Sequence, residues 1–340
     1  MKTVLLLFGG ESSEHEVSVA SARNVYGAID SEKYDVLLGY IDRAGKWWLV
    51  ESFDIPGSVR LLPSLGSKSF VVAPGDDVIT PDAILPILHG KNGEDGSVQG
   101  LAQLLHIPIV GCDLTSSAIG MDKLATKEIL SARGINIVPY LTHHTYDDVP
   151  DFDKLTEQLG SPLFVKPCRA GSSVGMSKVH TESELEAALT LAHQQDGTVL
   201  IEQGVTAREI EVAVLGTPPG HQVSTPGEVI PGAEFYSYDD KYDTNSKSSV
   251  AIPADLDQVL SRRIQSMAGQ IYEILGCSGL ARIDFFLTDD GGLYLNEINT
   301  LPGFTNISMY PKLWHHEGIG YSELIERLID DALQRATIEA

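Results

Sequence analysis

KPCRAGSSVGM, residues 166–176, stands between two folds. Gly171-Ser172-Ser173-Val174-Gly175 fits the G-x-S-x-G pattern of a hydrolase nucleophile elbow, a serine on a tight strand-to-helix turn. The same residues, following Lys166, also suit a loop whose backbone N–H groups cover an anion. The flanks help to separate these readings. An elbow needs a helix directly after the serine, whereas Met176-Ser177-Lys178-Val179 suits a short strand, and the next helix cap is Thr181. His315 or His316 follows Ser173, so chain order alone does not reject a hydrolase. A plain Gly/Ser hairpin loop is the third reading.

Near the N-terminus, TVLLLF (3–8) reads as a buried parallel strand ending at Gly9-Gly10. Ser13 and Glu16 have capping-box spacing for a helix that follows. AILPILHG (83–90), SVQGLAQLLH (97–106) and IPIVG (107–111) read as strand, helix and strand. Such alternation predicts an open parallel α/β sheet, here over residues 1–114. A section over 115–205 carries a helix at 121–133, strands INIVPYL and PLFVKP, a helix capped by Thr181 and Glu184, and the strand TVLIEQ (198–203). The last section, 206–340, opens with EIEVAVLG (209–216), passes through a polar stretch (233–248) and a helix over 255–275, and ends in a hairpin and a helix over 321–335.

The 340 residues carry a net charge of −23. That argues against nucleic acid, whose phosphates would be repelled, while leaving room for a small anion at a local basic pocket. Cys112, Cys168 and Cys277 have neither metal spacing nor a disulfide framework, which suits a reducing compartment. Glu11, Glu14 and Glu16 interrupt any secretory leader beginning at MKTVLLLF, and no run nears the roughly 18 apolar residues of a membrane span. The expectation is a cytoplasmic protein that engages neither membrane nor nucleic acid.

The richest chemistry lies in LARIDFFLTDDGGLYLNEINTLPG (280–303). With Asp290-Gly291 as a two-residue turn, Asp284 falls opposite Glu297 and Arg282 opposite Asn299, all four on one face. Phe286 and Leu295 share that face nearer the turn. Opposed carboxylates repel, and in such dry surroundings they must be protonated, paired or bound to a cation. Two carboxylates and an amide oxygen suit Mg²⁺, which commonly brings substrate phosphates into its shell. A half-exposed hairpin with Arg282 neutralising one acid is the alternative. Neither a G-x-x-x-x-G-K-[ST] loop nor a G-x-G-x-x-G after a strand is present, so the phosphate partner points back to residues 166–176.

In combination and order, these segments resemble the D-alanine–D-alanine ligases of the ATP-grasp superfamily. The likeness runs through FGGESSEHEVS (8–18), LHGKNGEDGS (88–97), MDKLATK (121–127), KPCRAGSSVGM (166–176), LIEQ (200–203), REIEVAVLG (208–216), DDKY (239–242), ARIDFF (281–286) and NEINTLPGFTNISM (296–309). It implies three domains, with ATP held between two antiparallel sheets. Lys127 and Lys166 would meet the ATP phosphates, Glu202 the adenine amino group and Glu209 the ribose. Ser173, Gln203 and Val205 would complete the ATP contacts. Asp284, Glu297 and Asn299 would hold two Mg²⁺ ions, with Mn²⁺ as a substitute.

The resemblance also implies a first D-alanine whose ammonium meets Glu14, in a hydrogen-bonded set with Ser172 and Tyr242, beside His89. Arg282 and the N–H of Gly303 would donate to the oxyanion. Ser308 would take the carboxylate of the second D-alanine, with Met309 beside that subsite, and Lys241 would reach the transferring phosphate. Ser172, rather than Ser173, becomes the serine that matters. Gln203 stands where some members carry Lys and Met309 where many carry Leu, while the Lys241-Tyr242 pair is the form associated with D-alanine as acceptor. A cytoplasmic homodimer supplying peptidoglycan precursors is implied. A related ligase for another acid and amine, or a non-catalytic nucleotide-binding module, remains as an alternative.

Overall fold

The computed structural model describes residues 1–54, 59–230, 249–305 and 307–339. Lys241 and Tyr242, with the polar stretch 233–248, lie outside the described residues. Three sheets carry the fold. In the first, β1 (Lys2–Gly9) lies parallel to β2 (Tyr34–Ile41) on one side and to β7 (Ala83–Ile87) on the other. Val4, Leu6 and Phe8 enter one apolar cluster, while Leu5 and Leu7 enter a second. Both faces are covered, which is why this strand is apolar throughout rather than alternating.

The expected parallel sheet extends further than the sequence indicates. From β2 the chain turns back through β3 (Trp47–Val50), β4 (Val59–Ser64), β5 (Ser69–Ala73) and β6 (Asp77–Ile79), all antiparallel. Asp42 makes the first turn, accepting from the N–H groups of Ala44 and Lys46, each at 2.9 Å. Residues 107–111, read as a strand, form only an isolated bridge between Ile109 and Ile84.

α1 (His15–Ala28) leaves the end of β1 abruptly. Gly9 has φ +92°, and a Cβ there would lie 2.2 Å from the Ile41 carbonyl oxygen, so glycine is required. The Gly9 N–H donates to Ser18 Oγ at 2.8 Å, and Ser18 donates onward to the Ile87 carbonyl. The capping box expected from Ser13 and Glu16 does not form. Glu14 is the N-cap but makes no side-chain cap, and Glu16 instead pairs with Arg43 at 2.8 Å. α2 is Ser97–Leu105. The helix expected over 121–133 is α4 (Lys123–Ser131); before it stands α3 (Leu114–Met121), which the sequence reading did not single out, and the two are divided at Asp122. Its carboxylate accepts from Leu124 and Ala125 N–H, both 3.0 Å, and so restarts the helix.

The second sheet, in the order β10-β9-β11-β8, is antiparallel throughout. Its strands are β8 (Tyr140–His144), β9 (Leu163–Pro167), β10 (Ser177–Val179) and β11 (Thr198–Gln203). α5 (Phe152–Leu159) and α6 (Glu182–His193) cover one face. Thr181 and Glu184 form the expected capping box. The third sheet joins β12 (Arg208–Leu215), β13 (Gln222–Val223), β14 (Gly227–Ile230), β15 (Ser249–Ala251), β16 (Leu280–Leu287) and β17 (Leu293–Asn299). α7 (Gln258–Ile274) packs on it through Ile264, Ala268 and Ile271. α8 (Met309–His316) and α9 (Tyr321–Glu339) return to the first sheet and share its core. Among the described residues no helix is long and apolar enough to cross a membrane.

Candidate active site

The loop at 168–176 connects β9 to β10 as an antiparallel hairpin. No helix leaves Ser173, so the strand–serine–helix geometry of a hydrolase elbow is absent. Ser172 and Ser173 both take left-handed backbone, φ +51° and +59°, which is uncommon for non-glycine residues and marks a shaped loop. Its base is tied down on two sides. Lys123 Nζ donates to the Ala170 carbonyl at 2.7 Å, and Arg169 forks onto Asp196 at 3.0 and 2.7 Å.

Beneath the loop, Lys127 from α4 and Lys166 from β9 converge on Glu202 of β11. Lys127 Nζ lies 2.9 Å from one carboxylate oxygen and Lys166 Nζ 2.5 Å from the other. All three residues are buried. Burial alone would raise the Glu202 carboxyl, but the two ammonium groups outweigh it and hold it at about 2. Burial pushes Lys127 downward against the pull of Glu202. Glu202, assigned to the adenine amino group by resemblance, thus has its carboxylate engaged in fixing the two lysines. Because its folded value lies below the ordinary 4.5, the stability it contributes is full above that range and disappears as pH falls toward 2. Glu202→Gln is expected to cost about 3 kcal/mol at neutral pH and to flatten the acid limb between those values. Urea midpoints measured against pH check both.

Across the cleft, β16 and β17 carry the carboxylates. Asp284 is opposite Glu297 and Arg282 opposite Asn299, as the sequence predicts, although the route differs. The turn is a five-residue loop, Thr288–Gly292, with Leu287 opposite Leu293, which shifts the register by one from a two-residue Asp-Gly turn. A bulge at Asn296 then shifts it back. Phe286 consequently faces Tyr294, and Leu295 pairs with buried Phe285 rather than sharing the site face.

The sequence reading missed Glu211. On β12 it lies directly opposite Asp284, so Glu211, Asp284 and Glu297 form one rung across three strands. The available signal was the Glu209-x-Glu211 spacing, which puts both on one face of a strand. Arg282 is the cation among them. It forks onto both Asp284 oxygens at 2.8 and 2.7 Å, and its Nε is 2.9 Å from Glu211. Burial would lower the guanidinium, but Asp284 and Glu211 hold it well above its ordinary value. Asn299 Nδ2 donates to Asp284 at 3.0 Å, which leaves its amide oxygen as the atom to offer a cation.

Among the described residues three carboxylates gather around the Arg282 guanidinium, and the donors are all oxygen, so their chemistry fits a hard dication. As the side chains stand, no group of three His, Cys, Asp or Glu among the described residues is arranged to enclose a metal, since Arg282 holds Asp284.

At the far end, Ser172 Oγ donates to Glu14 at 2.5 Å. This bond joins the head of α1 to the hairpin loop and forms the expected Glu14–Ser172 pair. It also accounts for the missing helix cap, because the Glu14 carboxylate is turned to the site. His89 is buried, and its Nε2 has no hydrogen-bond partner among the described residues. Burial lowers its pKa against the opposing charge of Glu14, keeping the ring neutral. A Cβ on Gly303 would sit 3.0 Å from Ser308 Oγ, so these two expected substrate contacts adjoin. Met309 is different: its side chain is packed in the core, with the sulfur 3.0 Å from where a Gly227 Cβ would be. Glu94, which the sequence reading missed, shares this end of the site with Glu14 across Gly171.

Between the second and third sheets runs a cleft of about 430 Å³. Lys166, Ser172, Ser173, Glu202, Gln203, Val205, Glu209 and Glu297 all line it, as does Lys178, which the sequence reading did not single out. Two antiparallel sheets, one offering lysines and a hairpin loop and the other a row of carboxylates, define the ATP-grasp class of fold. The family models for the N-terminus and C-terminus of D-ala D-ala ligase match residues 3–112 and 129–330. D-alanine–D-alanine ligase A of Salmonella typhimurium is 45% identical, over 98% of this chain and 96% of that protein. That of Escherichia coli K12 is 44% identical, over 97% and 95%. Among solved structures, the D-alanine–D-alanine ligase of Coxiella burnetii superposes with a TM-score of 0.89 at 34% identity, covering 99% of this chain and 95% of that one. The VanG D-Ala:D-Ser ligase of Enterococcus faecalis gives 0.89 at 36%, covering 97% and 99%. The chain belongs to the D-alanine–D-alanine ligase family.

Proposed function

We propose that the protein joins two D-alanine molecules at the expense of ATP, giving D-alanyl-D-alanine, ADP and phosphate for peptidoglycan precursor synthesis. The observation that carries this reading is the pairing of opposite chemistries across one cleft. Lys127 and Lys166 stand on one side, and the Glu211–Asp284–Glu297 rung with Arg282 on the other.

ATP lies between the sheets with its phosphates on the two lysines beneath the Ser173 loop. Gln203 and Val205 line the base and Glu209 the ribose. Asp284, Glu297 and Asn299 are the residues that would hold Mg²⁺ or Mn²⁺. A bound dication supplies charge that lets two anions approach. Glu14, oriented by Ser172, receives the ammonium of the first D-alanine and so aims its carboxylate at the γ-phosphorus. Attack there forms a carboxyl–phosphate bond and releases ADP. The second amine then attacks the acyl carbonyl, Arg282 and the Gly303 N–H donate to the oxyanion, and phosphate departs. Neutral His89 lies beside the first substrate and Ser308 takes the second carboxylate. Lys241 and Tyr242 complete the set by resemblance.

Domain boundaries at 114/115 and 205/206, a homodimer and a cytoplasmic location belong to the same proposal. ADP release that depends on both D-alanine and Mg²⁺ tests the reading, with D-serine and D-lactate as competing acceptors. ADP formation indifferent to D-alanine contradicts it, and a preference for another acceptor reassigns the second substrate.

A further inference from the structure

Glu94 lies on the turn after β7, within LHGKNGEDGS (88–97), and is partly buried. Its Oε2 accepts from the Gly90 N–H at 2.8 Å, and its own N–H returns to the Gly90 carbonyl at 2.9 Å. The turn is therefore closed on itself with the carboxylate aimed into the site. A Cβ built on Gly171 would lie 3.7 Å from Glu14 Oε2 and 4.0 Å from Glu94 Oε2, so the two carboxylates flank the same point of the hairpin loop. Burial, then the charge of Glu14, pushes the Glu94 carboxyl up to about 8, with Glu297 adding to the rise and the Gly90 N–H and Arg282 opposing it. Its charged surroundings are thus Glu14 at the head of α1, Glu297 on β17 and Arg282 on β16.

The reaction brings in two amino acids, each carrying an ammonium. Glu14 accounts for the first. The second must be held and must also lose a proton, because an ammonium has no lone pair with which to attack.

We propose that Glu94 receives the ammonium of the second D-alanine and takes its proton, releasing the amine as the nucleophile. This rests on the ligase reading. One N–H proton passes to a Glu94 oxygen. The freed lone pair forms the C–N bond with the acyl carbonyl, the C–O bond to phosphate breaks, and the remaining surplus proton leaves with the phosphate. The pair of carboxylates also orders the substrates. When the first ammonium neutralises Glu14, one of the charges that raise the Glu94 carboxyl is cancelled, which favours its ionised form when the second ammonium arrives.

Hydroxylamine, uncharged at neutral pH, can replace the second amino acid and needs neither an ammonium site nor a base. In Glu94→Gln the amide oxygen can still accept from Gly90, so the turn is retained. Glu94→Gln should lower dipeptide formation by about 100-fold, with a raised KM for the second D-alanine, yet keep D-alanine hydroxamate formation within about threefold of wild type. Equal loss of both products overturns the proposal in favour of a structural role for the turn. Unchanged dipeptide formation overturns it outright. Wild-type protein that makes neither product overturns the ligase reading itself.

Discussion

Arg282→Ala is expected to lower kcat for dipeptide formation by about 10² to 10³, the usual loss when one oxyanion donor is removed. The same change should destabilise the protein without ligands by about 3–5 kcal/mol, because it leaves a buried carboxylate pair without its cation. The two effects share one cause. Arg282 is the cation that reaches both Glu211 and Asp284, at 2.9 and 2.7 Å. Arg282→Lys should recover little, since a point charge cannot replace a fork that grips both oxygens of Asp284. Added Mg²⁺ should narrow the stability deficit of Arg282→Ala by supplying positive charge to the same rung. Urea unfolding with and without Mg²⁺, beside steady-state ADP formation, measures all of this. A loss of activity below tenfold would remove Arg282 from the oxyanion role.

Glu297→Gln should separate stability from activity. Without metal, Glu297 stands opposite Asp284, which already faces Glu211. Directly opposed like charges on a sheet cost roughly 0.2–1 kcal/mol, which offsets the attraction between Glu297 and Arg282, so in chelator the amide should unfold within about 1 kcal/mol of wild type. With metal the two proteins should diverge. The variant loses a ligand, gains little from Mg²⁺, and should lose about a thousandfold in turnover, in keeping with the several kcal/mol a Lewis acid contributes at a phosphoryl oxygen. A variant still stabilised by Mg²⁺ would place the metal elsewhere.

Much of the site was legible because its residues sit on strands, where a period of two fixes the face. Arg282, Asp284, Glu297 and Asn299 are placed by alternation alone, and a register error of one residue would have moved them to opposite faces. The expected pairing nevertheless held through two offsetting features, a five-residue loop and the bulge at Asn296. Neither announces itself locally: Asp290-Gly291 is the strongest turn signal in the segment, and Asn296 is an ordinary strand residue. Near the turn, where the two had not yet cancelled, the assignment of Leu295 to the site face failed.

What the sequence concealed was set by contacts between distant segments. The Ser13–Glu16 spacing suggested a helix cap, but Glu14 is drawn to Ser172, 158 residues away, and Glu16 to Arg43. Glu94 is one of several acids in a polar turn, and only the fold brings Gly171 and Glu14 beside it. The strands between residues 47 and 79 were not legible for a different reason. They are short and mostly half-exposed, so burial imposes no clean pattern on them. INIVPYL read as a strand from 135, but β8 begins at Tyr140. Ile135 and Val138 are buried on the edge of the hairpin sheet, where only Ile137 bridges to Leu295.

In the proposed reaction an amino-acid carboxylate attacks the γ-phosphorus of ATP in the cleft between the two antiparallel sheets. D-alanine labelled with ¹⁸O in its carboxylate tests this in a single turnover mixture with ATP and Mg²⁺. One labelled oxygen should leave with the inorganic phosphate, because the carboxyl oxygen that joins phosphorus departs with it when the amide forms. Label in AMP, or phosphate free of label while ADP accumulates, would contradict it.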